Sequence, residues 1–331
     1  MNRNIFTLIF LCLAFCAGAA HAALINGQNY VPLADWARAN GLKSYWSSRT
    51  EMVLADRTAR LVFNTDSAES EINGVDVRLS FPVAKGALIS QLDLDTTVRP
   101  LVFPPKPSAR KITTICLDPG HGGTDTGNRV KEMFWHNEKT YTLLLAFDLR
   151  NRLEKLGFKV ILTRSKDTFV DLPARPAIAN KAGADLFISL HFNATTDSPN
   201  AVQGPETYCI TPVGAASSNS QGGGADHVAT VANRLEDKSL LLAYQIQKSL
   251  VQDLHAEDRD VRRARFAVLR DATMPAILIE GGYMTNPTEG KKIYDADYRK
   301  QMAAAIAKGI LAYQKLTGVP DGTAPDAKSA K

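Results

Sequence analysis

Hydrophobic positions recur with two different periods along the chain, and the change of pattern divides it. In the first hundred residues the apolar runs at 52–54, 60–63 and 75–79 have strand length, and Asn73-Gly74 makes a tight turn between strands. Leu33, Trp36 and Ala37 share one helical face. These features predict a small α+β module over 23–103. A proline-dense segment follows, Arg99-Pro-Leu-Val-Phe-Pro-Pro-Lys-Pro, which is hostile to helix or central strand and predicts a linker at 104–110. From 111 to 318 strand-like and helix-like stretches alternate. The expected strands are 112–117, 159–163, 186–190, 266–270 and 276–280; the expected helices are 138–156, 172–182, 238–254 and 296–316. Such alternation predicts an α/β fold, a twisted, mostly parallel sheet with helices on both faces, and places active groups just beyond the strand ends. Residues 211–237 break the pattern. Their Ser/Gly-rich centre suggests either a rim of the binding site or a tolerated surface insertion. Residues 319–331 read as a disordered tail.

The N-terminus carries a different signal. Arg3 precedes an apolar run over 5–15, and Ala20-His21-Ala22 offers a small-residue cleavage site, so 1–22 reads as a secretory signal peptide. A run of about 11 apolar residues is short of the about 20 that span a bilayer, so no stable membrane anchor is expected. Cleavage removes Cys12 and Cys16 and leaves Cys116 and Cys209, both in apolar strand-like runs and expected to be buried free thiols. The 331 residues carry a formal charge of +5 without a long basic run, which gives no support to nucleic-acid binding.

Candidate chemistry sits at the predicted strand ends. His121 follows one strand in Leu117-Asp-Pro-Gly-His-Gly-Gly, His191 follows another, and Glu280 a third, while Glu138 opens a helix. Parallel strands bring such ends together. Two imidazoles and a carboxylate that leave one position open to water form a catalytic zinc arrangement. A second carboxylate, Glu280, would then move the water's proton to the leaving nitrogen. Spacing alone leaves Asp118, Asp125, Glu132 and His136 as rival ligands, and a non-haem iron site uses the same donors. The glycine-rich loop is not a phosphate-binding loop, because no Gly-Lys-Ser/Thr follows it.

Taken in order, Leu117-Asp-Pro-Gly-His-Gly-Gly, Asn137-Glu-Lys, Leu162-Thr-Arg-Ser-Lys-Asp, Leu172-Pro-Ala-Arg, Phe187-Ile-Ser-Leu-His-Phe-Asn-Ala and Leu278-Ile-Glu-Gly-Gly-Tyr-Met-Thr-Asn resemble the N-acetylmuramoyl-L-alanine amidase family, amidase-3 type. The resemblance implies Zn2+ on His121, Glu138 and His191, catalytic Glu280, and cleavage of the amide between N-acetylmuramic acid and L-alanine in peptidoglycan. Arg175 and Asn193 match family positions and are expected to be structural. Phe134-Trp-His136 is a departure from the family pattern. Some relatives are gated by an inserted helix until an activator protein acts, which makes a gated or inactive wall-binding protein the alternative. The first module resembles the copper amine oxidase N-terminal-like domain, through Tyr30-Val-Pro-Leu and Glu71-Ile-Asn-Gly, with wall targeting as its implied role. Together these readings imply an exported, periplasmic protein of wall remodelling.

Overall fold

The structure, a computed structural model, describes residues 23–105, 111–132, 135–219 and 224–317. The expected signal peptide, the tail and most of the predicted linker therefore lie outside the described residues. The N-terminal unit runs β1 (Ala23–Ile25), β2 (Gln28–Pro32), α1 (Leu33–Ala39), β3 (Lys43–Trp46), β4 (Glu51–Ala55), β5 (Arg60–Asn64), β6 (Glu69–Ile72), β7 (Val75–Arg78) and β8 (Leu88–Ser90). Helical turns α2 (Gln91–Asp93) and α3 (Arg99–Val102) follow, joined by a π-helical stretch, Leu94–Val98. Asn73 and Gly74 both take positive φ, as a two-residue turn between β6 and β7 demands. The expectation that the proline-dense segment excludes helix fails at its start. Pro100 is the second residue of α3 and follows directly on the π-helical stretch, so the helical turns that begin at Gln91 run into the proline-dense segment.

The second unit contains β9 (Thr114–Pro119), β10 (Arg129–Lys131), β11 (Trp135–Asn137), α4 (Glu138–Lys155), β12 (Lys159–Leu162), α5 (Ala174–Lys181), β13 (Leu186–Asn193) and β14 (Glu206–Cys209). It continues with α6 (Glu236–Leu254), β15 (Val261–Arg263), α7 (Ala267–Arg270), β16 (Ala276–Tyr283), α8 (Pro287–Tyr294) and α9 (Ala296–Thr317). The stretch 266–270, expected as a strand, is thus a helical turn. Phe266 and Val268 pack onto the sheet face rather than into its edge. Strands β12, β9, β13 and β16 are parallel neighbours, and β14 runs antiparallel to β16. On one face Leu145, Leu149, Leu240 and Ile306 of α4, α6 and α9 meet Ile115, Leu117, Ile188 and Ile277. On the other, Ala179, Val268 and Leu269 of α5 and α7 meet Cys116, Phe187 and Leu278. Each such fully buried Leu, Ile or Phe contributes roughly 1.5–3 kcal/mol of transfer free energy. Cys116 and Cys209 are both free and buried, and they belong to opposite faces of the sheet. Burial pushes the Cys116 thiol up to about 12, so it is inert as a nucleophile.

The two units share one sheet. Its order, β12-β9-β13-β16-β14-β15-β7-β6-β5-β4-β3, passes from one to the other where β15 pairs with β7 at Val261 and Val77. Tyr244 of α6 donates to the Ile72 carbonyl at 2.8 Å, and Arg263 donates to Ile210 and to Thr96 and Thr97. A single hydrophobic cluster includes residues of both units. At the seam, the Asp76 amide donates to Asp258 at 3.0 Å. The Asp76 carboxyl is pushed up to about 6, first by burial and then by the charges of Asp258, Asp260, Glu71 and Glu69. A carboxyl that holds its proton more tightly when folded stabilises the fold below its ordinary value of 3.8, and that contribution is lost as pH rises through about 6. Asp76→Asn is therefore expected to raise the thermal midpoint at pH 8 and leave it nearly unchanged at pH 4. An equal shift at both pH values would remove the charge argument.

The described part of 211–237 is folded back on the chain after β15. Ser218 donates to the Arg263 carbonyl at 2.8 Å, and Arg265 donates to Pro212 and Ala215 and pairs with Asp226. Ser217 and Ser218 are both hydrogen-bonded at this end. Among the described residues, no helix is long and apolar enough to cross a membrane.

Candidate metal centre and active site

Adjacent parallel strands set the site. Leu190 of β13 pairs with Pro119 of β9, and His191 pairs with Glu280 of β16, so three strand ends present their next polar residues side by side. The fourth residue, Glu138, is the first of α4 and is fully buried, 1% exposed. Its Oε1 lies 3.1 Å from His121 Nε2 and 2.9 Å from His191 Nδ1, and accepts from the Phe192 amide at 3.1 Å. Its Oε2 accepts from the Asn128 amide at 2.9 Å. The two imidazoles stand edge to face, 4.9 Å between centroids. Behind them, Asp125 Oδ2 lies 2.8 Å from His121 Nδ1, which leaves Nε2 as the nitrogen facing inward.

The loop around these residues needs glycine for space. A Cβ on Gly120 would meet the His191 ring at 2.2 Å, and one on Gly127 would meet Glu138 Oε2 and His121 Cδ2 at 2.6 Å. The loop carbonyls are held by two buried arginines. Arg164 donates to Pro119, Gly120 and Lys139. Arg175 donates to Pro119, His121 and Val170, and pairs with Asp118 at 2.8 Å. Asp118 also accepts from Thr163 and Ser189. This rival ligand is thus consumed by a structural network. Removing one partner of a buried pair costs about 3–5 kcal/mol, because the other charge is left uncompensated. Arg175→Met is expected to lose about that much in urea unfolding, and adding Asp118→Asn to recover part of it. A loss below about 1 kcal/mol would mean that Asp118 finds other compensation.

The remaining rivals have other partners. Asp125 orients His121. Glu132 lies 3.8 Å from His136 on the β10–β11 hairpin, and His136 stacks on Tyr294. Asn193 accepts the Met284 amide through its carbonyl, a backbone role at the end of β13. His121, Glu138 and His191 offer ligand atoms that all lie within 4.8 Å of one another, the one such group of three among the described residues. Two imidazoles and a carboxylate, with one imidazole oriented from behind, fit a divalent transition metal.

Electrostatics follows the geometry. Burial pulls the His121 imidazolium down, but the hydrogen bonds and charges of Glu138 and Asp125 outweigh it, and its pKa is raised. Burial pushes Glu138 up, and the two histidines outweigh that and hold it well below the ordinary carboxylate range. Glu280 is raised well above that range by burial and by the charges of Glu138 and Glu206, its cross-strand neighbour. Its Oε2 is buried without a hydrogen-bond partner among the described residues. A cavity of about 330 Å³ contains all four residues on its wall, with Leu172, Phe266, Val268 and Leu278 as its apolar side. None of the described residues of 211–237 lines it. Sequence reasoning gave no role to Arg164, Asn128, Glu206 or the apolar wall. Arg164, Leu172 and Leu278 stood in recognised motifs, and Asn128, Glu206, Phe266 and Val268 carried no functional signal until the chain was folded.

A model of the N-acetylmuramoyl-L-alanine amidase family, Amidase_3, matches residues 115–312. The chain is 35% identical over 220 residues to N-acetylmuramoyl-L-alanine amidase AmiC of Neisseria meningitidis, covering 60% of this chain and 52% of that protein. It is 34% identical over 237 residues to amidase AmiA of Escherichia coli, covering 63% of this chain and 79% of that protein. It therefore spans about half the length of the Neisseria relative. Among solved structures, the N-acetylmuramoyl-L-alanine amidase of Clostridium difficile 630 matches with a TM-score of 0.53 at 33% identity, covering 63% of this chain and 100% of that one. The family match begins within β9 and does not extend to the N-terminal unit.

Proposed function

The chain belongs to the N-acetylmuramoyl-L-alanine amidase family of the amidase-3 type, and from that premise we propose that it hydrolyses, with zinc, the amide joining N-acetylmuramic acid to L-alanine in peptidoglycan. The observation that carries this reading is the convergence of His121, Glu138 and His191 on one side of a cavity whose wall also holds Glu280. The three would hold Zn2+, which when bound supplies a Lewis acid and a water of near-neutral pKa. Asp125 and the Asn128 and Phe192 amides keep the His121 and Glu138 donors aimed inward before substrate arrives. Glu280 takes the proton of the attacking water and passes it to the leaving alanine nitrogen. Its burial and its two carboxylate neighbours raise its proton affinity, which suits a group that must both accept and return a proton. The apolar wall of Leu172, Phe266 and Val268 limits water around the scissile amide.

We read the protein as exported to the periplasm, with the N-terminal unit, through its copper amine oxidase N-terminal-like motifs, acting as a wall-contacting part of the enzyme. If an activator protein gates the site, the assay below gives no product from the chain alone. Purified peptidoglycan incubated with the mature chain is expected to release peptides that begin with L-alanine, detected by mass spectrometry. Chelator should abolish release and zinc restore it. Products cut at another bond would overturn the assignment, and no product in any condition would favour the gated or inactive wall-binding alternative.

A further inference from the structure

The hairpin that leads into Glu138 has two unlike faces. β10 and β11 pair antiparallel, with Arg129 opposite Asn137, Val130 opposite His136 and Lys131 opposite Trp135. Alternation puts Val130 and His136 on one side and Arg129, Lys131 and Trp135 on the other. The first side is fixed to the body of the protein. His136 is 6% exposed, stacks on Tyr294 with centroids 3.8 Å apart and rings 3° from parallel, and hydrogen-bonds to Tyr141. Val130 packs against the main core. The base of the hairpin is tied to the metal centre itself, since Glu138 donates its amide to Asn128 and accepts the Asn128 amide in return, both at 2.9 Å.

With one side anchored in this way, the other faces outward. Trp135 remains 49% exposed, although the hairpin does not depend on it for attachment. The Arg129 guanidinium lies 4.2 Å from the indole centroid and the Lys131 ammonium 5.8 Å. An indole braced by cations and left half open to water presents a flat apolar surface with charged donors at its edge. Trp135 stands three residues from Glu138, about 10 Å along an extended strand, a span of about two sugar units.

We propose that Trp135, with Arg129 and Lys131, is a glycan-binding platform that holds the amino-sugar strand of the wall polymer as its lactyl amide enters the site. The identity of the polymer rests on the amidase reading. The C–H face of a pyranose ring stacks on the indole, and the two cations pair with the lactyl carboxylates of muramoyl units on the strand already freed of peptide. A peptide is the poorer occupant, because strands of three residues offer it little edge to pair with. Trp135 is a positioning residue in this role and touches no reacting atom.

The test uses the full chain and peptide-free glycan strands as the probe, so that binding is read without hydrolysis. Trp135→Ala should weaken binding by about ten-fold or more and Trp135→Phe much less, the pattern of an aromatic anchor. Arg129→Gln with Lys131→Gln should weaken it to a smaller degree and flatten its salt dependence. On intact sacculi, Trp135→Ala should raise KM, while kcat on a small soluble muramoyl-peptide stays unchanged. If Trp135→Ala does not fold, the Arg129/Lys131 double variant, exposed on both sides, carries the test. Wild-type binding in both variants, or binding of free stem peptides in place of glycan, would overturn the proposal. Trp135-dependent glycan binding without any amide cleavage would keep the platform and remove the amidase reading. Amide cleavage with Trp135-independent binding would do the reverse.

Discussion

A Glu280→Gln variant is expected to fold, retain its metal and lose about 10²–10⁴-fold in turnover, the range that a positioned proton-transfer group supplies. The side chain lies on the cavity wall beside the donor cluster, on the strand residue that pairs with His191. Glutamine preserves its size and removes its ability to carry a proton. Burial and the charges of Glu138 and Glu206 raise the Glu280 pKa, so a neutral amide of the same size should be tolerated in the fold. That combination, stable and metal-loaded but inactive, separates a proton carrier from a structural residue. Zinc content by mass spectrometry, peptide release from sacculi and thermal midpoint are the three readouts. Full turnover with zinc in place would eliminate Glu280 as the proton carrier.

His121→Ala and His191→Ala should instead lose metal and activity together. Each removes one of three donors from a cluster whose ligand atoms lie within 4.8 Å. Metal content is expected to fall from about one ion per chain toward none, with peptide release at background. Asp125→Asn is the graded companion. It leaves all three donors in place but weakens the group that orients His121 Nδ1, a kind of change that costs about 10–100-fold in metal affinity. The order of the effects matters more than any single value. If Asp125→Asn lost metal as completely as His121→Ala, Asp125 would have to be counted as a ligand.

Much of the site was legible before folding because its residues sit at punctuation points of the chain. His121, His191 and Glu280 each follow a short apolar run, and in parallel sheets such positions emerge on one edge. Glu138 was readable as a helix opener. The rival ligands could not be removed in this way. Asp118 and Asp125 lie in the same loop as His121, and only the hydrogen bonds to Arg175, Thr163 and Ser189 on one side, and to His121 on the other, assign them different work. The short helix at 267–270 was misread because an apolar run of that length has no distinguishing period. The proline-dense stretch was misread because its first residues continue helical turns that begin upstream at Gln91.

Local sequence determined the alternation of elements, the turn at Asn73-Gly74, the strand ends that carry the chemistry, and the glycines at 120 and 127 on which that chemistry depends. These are set by neighbours a few residues away, through side-chain period, backbone freedom and capping. Tertiary structure alone decided that the two units share one sheet through Val77 and Val261, that Glu206 faces Glu280, and that Trp135 is turned outward by the anchoring of His136. Those outcomes depend on pairings between residues far apart in sequence. Such pairings are selected by burial of whole faces and by the satisfaction of buried polar groups, and no short window of sequence contains either quantity.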